Sequence, residues 1–310
     1  MFLRLRQKME EMPLSATTKM NEIGIPAHLN FNKELELKNP VTEVAVIRPP
    51  GNFTATDIKS FEKLLANQGL LPLVLPCRPG GTPPGPDNWW PTDKFRQVGE
   101  IIFDNSSENI SQAIIRQGRS LLKRPANNRE KTAKIIEVSP NFRGGDYIYS
   151  VQDKIFCYNR SIFKNAPVEM LELDQQALGE LRQRSWKILP IDCAGDLDWN
   201  LAVFHGKDNL PHFLMTDNLL ASLTAQLSPK INLNSAQIHS VPTAEVKQGG
   251  CNVADCRNGK LLILPNKINA PTVNQVIRSQ AHPKIQLLET PPNFFDRVSG
   301  PRCAISAITL

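Results

Sequence analysis

From residue 43 to the C-terminus the sequence repeats one order of predicted secondary structure. In each copy a short apolar run typical of a strand is followed by a helix with apolar residues three or four positions apart, and then by a second apolar run. The period is roughly fifty residues, with no obvious sequence identity between copies. Such a repeat is typical of supersecondary units packed in a radial array, in which neighbouring units bury each other's apolar faces.

Five such units are predicted, and their hairpins differ in clarity. The third unit shows its hairpin most plainly, because residues 147–150 and 154–158 are apolar runs separated by a short polar turn. In the fourth unit residues 197–204 are predicted to form the first strand. The five units cover residues 44–75, 101–138, 147–189, 197–241 and 252–288.

One apolar run, from Cys303 to Leu310, is left over at the end of the chain. The first unit, in turn, lacks the hairpin strand that later units have. We therefore predict that the last strand completes the first unit and closes a ring of ββαβ units. The predicted fold class is α/β, as a five-bladed α/β propeller whose functional groups meet at the central axis.

The domain organisation follows from the same pattern. Residues 41–310 are predicted to form one propeller domain, and a chain of 310 residues is long enough to bury a sizeable core. Residues 1–40 are polar, and Pro13, Pro26 and Pro40 interrupt any long helix. We expect this segment to be an extension on the surface of the domain.

Composition excludes several classes of function. Hydrophobic residues make up 41% of the chain, and no apolar run approaches the length of a membrane span, so no membrane association is expected. The net charge of +6 is spread along the chain, without a nucleic-acid-binding motif, which argues against a nucleic-acid partner. The six cysteines show no spacing typical of zinc sites. We expect reduced thiols in a cytoplasmic protein, with no metal and no cofactor.

Cys303 is the candidate nucleophile. It follows Gly300 and Pro301 at the point where a loop enters an apolar strand, and such a position can present the sulfur to a cleft. A free cysteine beside alanine and isoleucine is also commonly a packed core residue, and both interpretations stay open at this point. Because Arg302 is its neighbour, we expect a stabilised thiolate and the most reactive of the six thiols.

Short motifs in the chain resemble those of the pentein superfamily of guanidine-modifying enzymes, which includes dimethylarginine dimethylaminohydrolases, arginine and agmatine deiminases and glycine amidinotransferases. The resemblance implies that the sulfur of Cys303 attacks a guanidinium carbon and that acidic residues bind the substrate. The motifs are Gly300-Pro301-Arg302-Cys303, Gly144-Gly145-Asp146, Asp93 after Trp89-Trp90, and Arg48 before Pro49.

Two positions depart from the pattern that the resemblance implies. The family's His-x-Asp motif aligns with Asp196-Leu197-Asp198, so Asp196 replaces the histidine. The acid that precedes Gly-Gly-Asp is replaced by Arg143. An exposed aspartate is a poor proton donor at neutral pH, and an arginine repels a cationic substrate. His205, His212 and His239 stay open as substitutes for the lost histidine.

The predicted catalytic residues are therefore Cys303, Asp196 and Asp198, and the predicted substrate-binding residues are Asp93, Arg143, Asp146 and Arg48. The retained residues favour a cysteine-dependent guanidino-group hydrolase or amidinotransferase-like protein. The two replacements favour a catalytically degenerate protein that binds an amphoteric small molecule or a protein partner. The expected ligand is a guanidino or amphoteric small molecule, and a homodimer is left open.

Overall fold

The computed structural model describes residues 40–49, 51, 53–75, 90–105, 110–122, 133–140, 142–164, 167–234, 237–292, 294 and 300–310. The predicted N-terminal extension, apart from Pro40, lies outside these residues, and so does Trp89. The domain boundary at residue 41 therefore stays a prediction.

Fifteen strands in the described residues form five separate sheets of three strands each. The strands are β1 (Glu43–Ile47), β2 (Leu70–Val74), β3 (Phe95–Val98), β4 (Ile101–Asp104), β5 (Lys134–Glu137), β6 (Tyr147–Ser150), β7 (Ile155–Asn159), β8 (Lys187–Ile191), β9 (Leu201–His205), β10 (Pro211–Thr216), β11 (Ile238–Val241), β12 (Ala254–Cys256), β13 (Leu261–Leu264), β14 (Gln286–Glu289) and β15 (Ile305–Thr309).

The helices are of two kinds, long ones that connect strands within a unit and short ones of about one turn. The longer helices are α1 (Ala55–Asn67), α3 (Ile110–Leu121), α4 (Val168–Gln183), α6 (Leu220–Ile231) and α8 (Pro271–Gln280). The short helices are α2 (Pro91–Lys94), α5 (Leu197–Asn200), α7 (Thr243–Val246) and α9 (Pro301–Ala304), and two 3₁₀ turns span Gly144–Asp146 and Arg160–Phe163. Within the described residues, no helix is both long and apolar enough to cross a membrane.

All five sheets have the same topology. A middle strand pairs antiparallel with the strand of its hairpin and parallel with the strand that follows the long helix, as β4 does with β3 and β5. In the first sheet the middle strand β1 pairs parallel with β2 and antiparallel with β15, the last strand of the chain. The predicted pairing of the terminal strand with the first unit is confirmed.

The apolar core closes the ring. Five clusters of buried apolar residues each lie between two sheets, and they join β1 with β4, β4 with β7, β7 with β10, β10 with β13, and β13 with β1. Neighbouring residues of one strand point to opposite clusters, as Val46 and Ile47 of β1 do. Each sheet is thus covered on both faces by its neighbours, and the predicted five-bladed α/β propeller is confirmed.

Two details of the prediction are wrong. Residues 197–200 form α5 and not the beginning of a strand, because Leu197 and Leu201 have the helical spacing of four positions and enter one cluster together. Likewise Cys303 lies within α9, and the strand begins at Ile305. In both units a turn of helix precedes the first strand.

Candidate active site

The short turns that precede the first strands of the units converge on one another. The hydroxyl of Thr92 in α2 donates to the backbone carbonyl of Cys303 in α9 at 3.1 Å. The backbone of Thr92 also lies against Gly144, where an added Cβ would come within 2.5 Å of the Thr92 carbonyl oxygen. A side chain at residue 144 would therefore separate two of the turns, and glycine is required there for their close approach.

Cys303 lies at the centre of this convergence. Its side chain is buried, and its Sγ lies 3.7 Å from Oδ2 of Asp198 in α5. The side-chain amide of Asn252, just before β12, connects the two residues, because its Nδ2 donates to Oδ2 of Asp198 at 2.8 Å and to Sγ at 3.2 Å. One thiol, one amide and one carboxylate from three units thus form a contiguous polar group.

The two ionisable members of this group have strongly perturbed acidities. Burial raises the pKa of Asp198 to about 7, although the charge of Arg302 opposes the shift. Burial also raises the pKa of the Cys303 thiol, and the charge of Asp198 raises it further. The expected stabilisation of the thiolate by Arg302 is therefore wrong for this arrangement.

Arg302 has other partners. Its Nε lies 3.7 Å from Oδ2 of Asp198, and its Nη2 donates to the carbonyl of Tyr147. The guanidinium also lies over the ring of Tyr149, at 5.2 Å from the ring centroid. The backbone carbonyl of Arg302 accepts a hydrogen bond from the guanidinium of Arg96 at 3.2 Å. Arg302 and Arg96 thus provide positive charge beside the buried carboxylate of Asp198.

A second, more exposed group surrounds Arg143. Its Nε lies 3.5 Å from Oδ2 of Asp146, and its Nη2 lies 3.7 Å from Oδ1 of Asp196. Burial raises the pKa of Asp146 to about 6, against the lowering effect of the Arg143 charge. The charge of Asp93 acts on Arg143, Asp146 and Asp198, which places Asp93 near both groups.

Asp196, predicted to replace the catalytic histidine, differs from Asp198 in its surroundings. Its side chain is 47% exposed, whereas that of Asp198 is 1% exposed. It lies against Gly145, where an added Cβ would be 3.1 Å from the Asp196 carboxyl carbon. The structure therefore leaves Asp196 about half exposed and places Asp198 beside the sulfur.

Arg48, the last predicted binding residue, follows β1 directly. Its backbone N–H donates to the carbonyl of Ala304 at 2.9 Å, and its side chain is buried. The residue is thus adjacent to α9. Its contact with a substrate stays a prediction.

The histidines considered as substitutes bond elsewhere. Nδ1 of His205 lies 2.8 Å from Oδ1 of Asp153, at the far end of β9 from α5. Nδ1 of His212 lies 2.9 Å from Nε2 of His239, and its Nε2 lies 3.0 Å from Oδ1 of Asp208. The role of these histidines as a substitute base stays a prediction.

The sequence prediction missed Asn252, Thr92 and Arg96, and it expected Arg302 only as a charge beside the thiol. A positional signal for Asn252 did exist, because it stands two residues before β12, as Cys303 stands two residues before β15. Asp93 likewise stands two residues before β3. In the described residues, no group of three or more His, Cys, Asp or Glu side chains is arranged to hold a metal ion.

Comparison with known proteins identifies similar folds only. No protein-family model matches the sequence, and no curated protein matches it. The agmatine deiminase of C. jejuni has a TM-score of 0.50 and 11% identity over 88% of this chain and 95% of that chain. The N-terminal domain of ArgZ, bound covalently to a reaction intermediate, has a TM-score of 0.49 and 11% identity, covering 86% and 98% of the two chains. The inosamine-phosphate amidinotransferase StrB1 of Streptomyces griseus has a TM-score of 0.46 and 9% identity, covering 86% and 93%.

Proposed function

The chain has the five-bladed α/β propeller fold of the pentein superfamily, and from this premise we propose that it is a cysteine-dependent protein acting on a guanidino group, as a hydrolase or in the manner of an amidinotransferase. Cys303 is the proposed nucleophile. The proposed ligand is an amphoteric guanidino compound, which carries a carboxylate or another anionic group as well as its guanidinium.

The observation that carries this proposal is the buried carboxylate of Asp198 and, among the described residues, its unpaired acceptor oxygen. Its carboxylate is fully buried, and its Oδ1 has no hydrogen-bond donor within the described part of the chain. A buried carboxylate oxygen is strongly destabilising unless a donor reaches it. The N–H groups of a guanidinium match a carboxylate in charge and geometry, and a ligand bound in this way would lie beside the sulfur of Cys303.

The reaction requires two transfers at the guanidinium carbon. The sulfur of Cys303 forms a bond to that carbon, one C–N bond breaks, and the leaving nitrogen takes a proton and departs as an amine. Water then adds to the same carbon and gives up a proton, and the C–S bond breaks to release a ureido product. If an amine adds in place of water, the amidino group is transferred to it.

Asp198 is the proposed carrier of these protons. A general acid or base is most effective when its pKa lies near the working pH, and the pKa of Asp198 is raised to about 7. Its Oδ2 lies 3.7 Å from the sulfur. Asp196, predicted as catalytic, is proposed to act on Arg143 and Asp146 through its charge.

The charge of Arg143 supports the choice of an amphoteric ligand. Its side chain is 54% exposed, beside the half-exposed Asp196, so a bound molecule can reach it. An arginine at this place repels a plain cation and attracts a carboxylate or phosphate. Together with Asp93 and Asp146, it gives the site one cationic and several anionic groups. The neighbouring structures bear the names agmatine deiminase and inosamine-phosphate amidinotransferase, which describe those proteins.

A panel of guanidino compounds tests the proposal. The purified protein and its Cys303→Ser variant are incubated with guanidino carboxylic acids and with agmatine, and ureido products and covalent adducts are measured by colorimetry and intact mass. We expect slow product formation or an adduct from the guanidino acids, and neither from the variant. A panel with neither product nor adduct at any concentration would reject an enzymatic role.

A second function is favoured by the replacements at Asp196 and Arg143. In this alternative the protein binds an amphoteric molecule or a protein partner without turnover. Calorimetric titration separates the two functions, because binding of a guanidino acid with unchanged ligand after long incubation supports the alternative. A homodimer stays a prediction, which sedimentation can test.

A further inference from the structure

The side-chain amide of Asn252 makes four hydrogen bonds around Cys303, two through its nitrogen and two through its oxygen. Its Nδ2 donates to Asp198 and to the sulfur of Cys303, and its Oδ1 accepts from the backbone N–H groups of Arg302 and Cys303. We propose that Asn252 is the positioning residue of Cys303, which fixes the turn that carries the thiol and donates the hydrogen bond that favours its thiolate. This inference rests on the proposed role of Cys303 as a nucleophile.

The acceptor half of the amide holds the short helix α9. Oδ1 lies 2.7 Å from the backbone nitrogen of Arg302 and 3.2 Å from that of Cys303. The first N–H groups of a helix have no partner inside the helix, and Gly300, at the N-cap position, makes no side-chain cap bond. Asn252 therefore caps α9 from another unit of the ring.

The donor half faces the reacting groups. Nδ2 has two hydrogens, and its two acceptors are Oδ2 of Asp198 at 2.8 Å and Sγ of Cys303 at 3.2 Å. The orientation of the amide is dictated by these partners, because a rotated amide would place its NH₂ group against two backbone N–H donors. A donor aimed at sulfur stabilises the thiolate more than the neutral thiol.

The neighbouring glycine fits this arrangement. A Cβ added at Gly300 would lie 2.6 Å from Oδ1 of Asn252, closer than real Cβ contacts come. The glycine of the Gly-Pro-Arg-Cys stretch thus leaves space for the amide. Asn252 itself has no exposed surface, so its four bonds are protected from competition by solvent.

The substitution Asn252→Asp separates the two halves of the amide. Aspartate keeps an oxygen that can accept from the N–H groups of Arg302 and Cys303, but it loses the donor to the sulfur and adds a negative charge. We expect the pH midpoint of Cys303 alkylation by iodoacetamide, followed by peptide mass mapping, to rise by about one unit or more. Asn252→Ala loses both halves and should lower the melting temperature more than Asn252→Asp does.

Asn266 offers a matched control in the same unit. It is buried too, its Nδ2 donates to the carbonyl of Thr290 at 2.8 Å, and its Oδ1 accepts from the backbone N–H of Ile268 at 3.0 Å. Asn266→Asp therefore makes the same chemical change to a structural asparagine. We expect it to leave the alkylation midpoint of Cys303 where it is in the wild-type protein.

Gly300→Ala provides a second test, because the added methyl group displaces the Asn252 amide without adding charge. It too should raise the alkylation midpoint. Three outcomes would each overturn the proposal. The alkylation profiles of wild type and Asn252→Asp could superimpose, Asn266→Asp could show an equal shift, or Cys303 of the wild-type protein could escape alkylation up to pH 10. These measurements need no substrate, so a shifted midpoint without turnover of any guanidino compound would refute the proposed function and leave the role of Asn252 intact.

Discussion

The sulfur of Cys303 and Oδ2 of Asp198 lie 3.7 Å apart, although 105 positions separate the two residues in the sequence. One belongs to the strand-opening turn of the first unit and the other to that of the fourth. The ring topology therefore creates this pair, because only a closed array brings the starts of non-adjacent units to one axis.

The acidity of the thiol should respond to the charge of Asp198. Since that charge raises the pKa of Cys303, Asp198→Asn should lower the midpoint of Cys303 alkylation, by on the order of one pH unit, while abolishing any turnover. Peptide-resolved alkylation between pH 6 and 10 measures the midpoint. Asp174→Asn, which changes a buried carboxylate bound to Ser139, is the matched control and should leave it unaltered. A higher midpoint in Asp198→Asn would contradict the electrostatic explanation.

Stability should fall as pH rises from about 4.5 to about 7 because of Glu43. This buried side chain in β1 accepts from the backbone N–H of Arg257 at 2.6 Å, and burial raises its pKa to about 7. A carboxyl whose folded pKa is raised contributes stability that is complete below its unfolded pKa of 4.5 and is lost as pH rises through 7. The loss amounts to roughly 3 kcal/mol at full ionisation.

The substitution Glu43→Gln keeps an acceptor for Arg257 and removes the ionisation. We expect it to raise the free energy of urea unfolding at pH 8.5 and to change it little at pH 5, so that the pH dependence becomes flatter. Glu289→Gln, at a partly exposed ion pair with Arg278, is the control. If Glu43→Gln were less stable than wild type at pH 8.5, ionisation of Glu43 would not be destabilising the folded protein.

The sequence was sufficient for the architecture because the apolar periodicity of each unit is local. The capping box of α1, in which Thr54 and Asp57 bond each other's backbone N–H groups, is a local feature of the same kind. Strand β3 was missed for a tertiary reason. It contains Arg96, which reads as a surface residue yet is 2% exposed, because Tyr149 and the carbonyl of Arg302 satisfy its guanidinium.

The candidate site could be predicted only in part for a related reason. Cys303 and Asp198 were found through short motifs, but Asn252 is an ordinary asparagine until its partners from two other units are in place. The direction of the Cys303 pKa was also missed. Sequence shows that Arg302 is adjacent, whereas the fold turns its guanidinium toward Tyr147 and leaves the thiol beside Asp198.

His205 should contribute nothing to the chemistry. Its ring bonds Asp153 beside the turn of the third unit's hairpin, at the end of β9 that is remote from α5. His205→Gln is therefore expected to keep the wild-type alkylation profile of Cys303 and the wild-type product yield with guanidino acids. A loss of turnover of tenfold or more with unchanged melting temperature would identify His205 as the substitute base.

Turnover of plain guanidinium compounds should be weak because of the residues at positions 143 and 196. Agmatine has no anionic group for Arg143, and Asp196 stands where the family motif has a histidine that would carry protons at neutral pH. Little ureido product is therefore expected from agmatine and wild-type protein. Robust Cys303-dependent turnover of agmatine by the unaltered protein would contradict the proposed site assignment.

The double substitution Arg143→Glu with Asp196→His should raise turnover of agmatine by about tenfold to a thousandfold, if a further cation-binding carboxylate and a histidine that carries protons alongside Asp198 are what limits the chain. Both changes are needed together, because Arg143 lies 3.5 Å from Asp146 and 3.7 Å from Asp196, and a glutamate placed alone between two aspartates is repelled by them. A histidine at position 196 relieves one repulsion and supplies the proton. Both side chains are about half exposed, so the exchange buries no new charge. The test measures product formation by the double variant, by each single variant and by the double variant that also carries Cys303→Ser. Single variants as active as the double variant, or product that still forms without Cys303, would contradict the prediction.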